Sequence, residues 1–150
     1  MRMTAAVLSL LLSAGAQAED VQALTAEGLA LIPPFQQHLM ATVKAAMQAG
    51  GPLNAVAACQ LQAPLIASEH SKAPWQVGRT SLLVRNPSNA ADAWEQQVLG
   101  QFAQRAAAGE PVATLQHSEV VAGELRVMQA IAVGEPCLAC HGKNLKPELT

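Results

Sequence analysis

Three side chains fix one end of this chain before anything else is considered. Cys137, Cys140 and His141 stand in the stretch EPCLACHGK, with nine residues after His141. With three Cys and four His in 150 residues, a C-x-x-C-H pattern arises by chance roughly 0.002 times. That spacing is the one used for covalent attachment of c-type haem: two thiols form thioethers and the next imidazole ligates the iron. A single helical turn lets both sulfurs reach one porphyrin while the following residue turns beneath its centre. A redox-active C-x-x-C belongs at a helix start after the first strand of a βαβ unit, and no such unit precedes it. A Cys137–Cys140 disulfide is strained at this separation, and a zinc site lacks a second cysteine pair.

The opposite end reads as a leader. MRMTAAVLSLLLSAGAQA carries Arg2, an apolar run from Ala5 to Leu12, and Ala16-Gln17-Ala18 as a small-x-small cleavage site, the pattern of a secretory signal peptide. The run is far shorter than the roughly 20 apolar residues of a membrane span. The expectation is therefore a signal peptide over 1–18 and one domain over 19–150, periplasmic, with no stable membrane insertion. Cysteines in such a compartment escape cytosolic reductants. Loss of residues 1–18 removes only Arg2, one of nine basic residues, and leaves eight against eleven acidic ones. With two Trp, two Phe and no Tyr, the chain has neither the charge nor the stacking surfaces for nucleic acid.

Between these ends the pattern changes character twice. Leu24, Leu29, Leu31, Phe35, Leu39, Val43 and Met47 fall near one helical stripe, broken by Pro33-Pro34 and stopped by Gly50-Gly51. PLNAVAACQLQAPLIAS is again helical, with Val56, Cys59, Ala63 and Ile66 on one face and Pro64 interrupting it. WQVGRTSLLVRN alternates like a strand, and NPSNA is loop chemistry suited to capping a helix from about Ala90 to Ala107. That helix carries Trp94, Val98, Phe102 and Ala106 and ends at Gly109 and Pro111. Val112–Val121 and Glu124–Val133 alternate with period two around Ala122-Gly123, an antiparallel hairpin. The order predicts an α+β domain.

An iron held by His141 needs an account of its other side. None of the residues after His141 is Met or His, so a distal ligand comes from upstream or is absent. Cys59, His38, His70, His117, Met40, Met47 and Met128 are the candidates. Each methionine also fits core packing, His70 lies in a polar SEHSK loop, and a lone histidine is an ordinary surface residue by default. Cys59 sits mid-helix on an apolar face, where it also fits a small buried hydrophobe.

VGRTSLLVRNPSNAADAWE at 77–95, with VAACQLQAPLIA before it and EPCLACHG after it, resembles a bacterial family of exported or sensor-linked PAS-like c-type haem domains, long catalogued as a domain of unknown function. The resemblance covers about residues 34–142, and Arg79 to Asn89 is its most specific part. It implies a PAS-like antiparallel sheet with N-terminal helices and a C-terminal C-x-x-C-H turn. It further implies one haem c, with Cys137 and Cys140 as thioether anchors, His141 as proximal ligand and Cys59, in CQLQAPLI, as distal thiolate. Family members continue past the motif with a Tyr-Pro-containing loop and a last strand, which this sequence lacks. Arg79 and Arg85 are candidate partners for the haem propionates, since guanidinium groups pair well with carboxylates.

These features predict a monohaem c-type cytochrome that transfers electrons or senses redox state or gases, its partner a redox protein or a small diatomic gas. A five-coordinate, cytochrome c′-like helical bundle is the alternative, though the period-two runs at 77–85 and 112–133 have no place in it. A haem enzyme such as a peroxidase would require a distal acid–base pair, which the sequence does not place.

Overall fold

The computed structural model describes residues 8–141, 145 and 147–149, with side chains from residue 20 onward except 136 and 148. Residues 1–7 of the expected leader lie outside the described residues. No helix among those described is long and apolar enough to cross a membrane.

Helix α1 spans Leu8–Leu61 and leaves helical dihedral angles only at Gly50 and Gly51. Gly51 takes φ 74°, a left-handed conformation open to glycine at little cost, and Pro52 restarts the helix with a fixed φ. The expected break at Pro33-Pro34 does not occur: the chain stays helical through both. Each proline removes one ladder hydrogen bond. Phe35, directly after them, and Leu39, one turn further on, are buried and nevertheless pin this arm against Ala63 and Ile66 of α2 (Ala63–His70), and tertiary packing outweighs local propensity. The expected interruption near Pro64 is present, with Gln62 separating α1 from α2.

The expected strand over 77–85 is not formed. Ser81 and Ala90 make an isolated bridge, and the backbone around it is taken up by local side-chain bonds. Thr80 Oγ1 donates to the Asn89 carbonyl, Ser81 Oγ accepts from Leu83 N, and Asn86 Oδ1 accepts from Ser88 N. Such bonds compete directly with a sheet ladder. Leu82 and Val84, the apolar positions of the alternation, are left 57% and 37% exposed, so the run has no buried face to satisfy.

Helix α3 (Ala93–Ala107) follows a capping box in which Asp92 and Glu95 satisfy each other's backbone N–H groups. The cap is thus Asp92, beyond the NPSNA stretch. Strands β1 (Gln116–Val121) and β2 (Glu124–Gln129) pair antiparallel from Gln116↔Gln129 to Val121↔Glu124. Ala122 (φ 52°) and Gly123 (φ 88°) form the two-residue turn, with the positive φ values that match strand twist. Both strands are shorter than the sequence runs, because Val112–Thr114 winds into a 3₁₀ turn. The described sheet has two strands, and the fold is α+β.

Period two splits the hairpin between two helices. Met128 and Ala130 join Leu115, Val98 and Phe102 in a core against α3. Val127 points the other way, toward Gly28 of α1, where an added Cβ would lie 3.3 Å from Val127 and 2.8 Å from Trp75. Gly28 permits this close approach, and Trp75 Nε1 donates to Glu27 at 2.9 Å.

One polar cluster locks α3 to the hairpin. The Arg126 guanidinium lies 4.3 Å from the Trp94 ring centre and 2.7 Å from Asp92 Oδ2, while Trp94 Nε1 donates to Glu119. Arg126→Ala should cost about 1 kcal/mol, mainly as lost packing and cation–π contact, measured by urea denaturation. The Asp92 carboxyl is held below its ordinary 3.8 chiefly by the Glu95 N–H and then by Arg126, and Glu119 below 4.5 by Trp94 and His117. Lowered folded values mean that the unfolded chain binds more protons, so this stability is present above those ordinary values and fades as pH falls through the folded ones.

Candidate functional site

Helix α4 (Glu135–His141) carries all three motif residues. Its opening is tightened by a bond from Cys137 N to the Gly134 carbonyl at 3.0 Å. Cys137 and Cys140 are free thiols, half-buried, and Leu138 between them is exposed. Partial burial of the His141 imidazole, followed by the charges of Arg79 and then Arg85, pushes its pKa below 6.5. The neutral, ligating form is therefore favoured at neutral pH.

The two arginines stand differently. Arg85 Nη2 donates to the Cys140 carbonyl at 2.8 Å and Nη1 to the Leu149 carbonyl at 2.5 Å. A cation there answers the unsatisfied carbonyls and partial negative charge of a helix C-terminus. It also holds the buried Leu149 turn beside α4. Arg79 faces a cleft of about 340 Å³, whose walls are Phe35, Ala63, Pro64 and Ala67 on one side and Gly78, Arg79, Asn86, Ser88 and Asn89 on the other. Arg85→Met should remove two charge-assisted bonds, about 2 kcal/mol of local stability. Faster hydrogen exchange confined to α4 would register it.

Cys59 lies in the second arm of α1, a free, half-buried thiol one turn before Ala63 of the cleft wall. Helix α4 packs on α1, but no hydrogen bond or ring contact among the described residues joins Cys59 to α4. Of the rival distal candidates, Met47 is half-buried on the first arm of α1 and the others are occupied or exposed. Met128 is packed in the α3 core, Met40 is exposed, His117 lies 5.8 Å from the Trp94 ring, and His38 and His70 face each other. Among the described residues no three His, Cys, Asp or Glu side chains surround one cation position.

The polar side of the cleft was not legible in the sequence as a site. Asn86, Ser88 and Asn89 read as capping residues, and only the failure of the 77–85 strand turns them toward α2. The chain's sequence matches the Tll0287-like family profile over residues 9–149. No curated protein and no solved structure matches it significantly. A match spanning nearly the whole chain, including the α1 arm with Cys59 and the α4 motif, shows that this protein belongs to the Tll0287-like family.

Proposed function

We propose that this chain is an exported, periplasmic monohaem c-type cytochrome acting in electron transfer or in sensing of redox state or a diatomic gas. The observation that carries the proposal is the C-x-x-C-H set on α4: two free thiols one turn apart and an adjacent imidazole biased toward its neutral form. That donor set suits haem c, with Cys137 and Cys140 as anchors and His141 as proximal ligand. The group, when bound, would supply reversible one-electron chemistry.

The chain's own residues set the terms. Arg85 holds the α4 terminus that bears His141, and Arg79 adds positive charge from the cleft side; either suits a propionate. Cys59 is the proposed distal ligand. As a thiolate its negative charge would favour the oxidised state of a bound haem, and protonation at Sγ would weaken its hold on the iron. The PAS-like assignment of the fold belongs to the same proposal, supported by a hairpin backed by an N-terminal helix. The hairpin also favours it over a four-helix, cytochrome c′-like bundle.

Protein expressed with a bacterial c-type maturation system should gain the mass of one haem and retain it under denaturing conditions. The Cys137→Ser, Cys140→Ser variant should lack it. Wild-type protein without covalent haem would end the proposal.

A further inference from the structure

Away from α4, two histidines from different helices turn their nitrogens toward each other. His38 on α1 and His70 at the end of α2 bring Nδ1 and Nε2 to 3.2 Å, and Glu69 Oε2 lies 3.7 Å from the same His38 nitrogen. Nothing in the proposed haem site uses any of the three. We infer that His38, His70 and Glu69 bind a divalent transition-metal cation of the zinc and copper class, which ties α1 to α2.

The distance supports this. Zinc–nitrogen bonds of about 2.0–2.1 Å in tetrahedral geometry set two ligand nitrogens roughly 3.3–3.4 Å apart, close to the spacing of this pair, so a cation is admitted by turning the two rings until their lone pairs converge on it. Without metal, the pair shares one N–H···N bond, which a cation replaces by accepting both lone pairs. The frame is fixed beforehand. Phe35, Leu39, Ala63 and Ile66 clamp the two helices together immediately beside the pair, and His70 is braced edge-on against Phe35, ring centres 6.1 Å apart. The site is also reachable, since the His38 side chain is 44% exposed and that of Glu69 64%.

Glu69 must rotate to complete the set, because the three do not yet surround one point; water takes the remaining position. Imidazole nitrogen with one carboxylate suits Zn²⁺ and Cu²⁺ and not Ca²⁺ or Mg²⁺, which demand oxygen cages. The bound cation would stiffen the α1–α2 seam, the apolar wall of the cleft.

Zn²⁺ alone is titrated calorimetrically into the full chain as isolated from bacterial expression. One binding equivalent should weaken in His38→Ala and in His70→Ala by more than the roughly 10–100-fold that changes outside a ligand shell cost. Glu69→Gln should weaken it less. Cu²⁺ at the site should show electron paramagnetic hyperfine coupling to two nitrogens, falling to one in either histidine variant. Zn²⁺ should raise the melting temperature of wild type and not of the variants. His38→Gln, which keeps a polar side chain of similar size, guards against a folding defect. Unlinked Cys137 and Cys140 would themselves take zinc if the haem assignment fails, so the criterion is the equivalent lost with His38 and His70 and not the total. Absence of binding, or binding undiminished in a folded His38→Ala, His70→Ala protein, overturns the inference.

Discussion

Cys59→Ala is expected to abolish the low-spin, thiolate-ligated signature of the oxidised protein in optical and electron paramagnetic resonance spectra, leaving covalent haem in place. The two effects should separate because the proposal gives them to different residues: Cys137 and Cys140 on α4 would anchor the haem, while Cys59 in the second arm of α1 would be the distal ligand. Cys59 is half-buried, so alanine leaves only a small packing defect, of order 1 kcal/mol, and the protein should fold. Removal of an anionic ligand also removes charge that favours the oxidised state, and the reduction potential should rise. A wild-type spectrum that is high-spin and indifferent to the substitution would mean that the sixth position is open, and would shift the function from electron transfer toward gas binding.

Phe102→Ala is expected to be the most damaging of the core truncations, at about 3–5 kcal/mol. Phe102 is 5% exposed and packs with Val98 and Leu115 in the cluster that joins α3 to the hairpin. Trp94, packed on the same cluster, is held by Glu119 and Arg126 and is not free to refill the space. A typical domain of this size has a total stability of about 5–15 kcal/mol. The urea midpoint should therefore fall sharply, and near-ultraviolet signal from Trp94, packed on the same cluster, should fall with it. A loss below about 1 kcal/mol would show that the α3–hairpin unit does not hold the fold together.

The elements read correctly from sequence are those whose signal is local. The Gly50-Gly51 break needs a left-handed residue, and the stripe of Trp94, Val98, Phe102 and Ala106 is periodic and capped. Ala122-Gly123 supplies the positive φ values of its own turn. Cys137, Cys140 and His141 lie within one short helix, so their proximity needs no distant partner; the haem chemistry proposed for them rests on their spacing. Membership of the Tll0287-like family follows from the same linear information.

What sequence could not decide depends on partners distant in the chain. Pro33-Pro34 continues a helix because Phe35 and Leu39 find Ala63 and Ile66. The 77–85 run forgoes a strand as Ser71 takes the Val77 N–H, Ser81 takes the Leu83 N–H and Thr80 reaches the Asn89 carbonyl. Arg85 meets the Cys140 and Leu149 carbonyls, and His38 meets His70, across gaps of 55, 64 and 32 residues. Local pattern fixes where a helix or turn begins; which side chains converge on one point is set by the packing of α1, α2 and the hairpin, and that is decided only once the chain has closed upon itself.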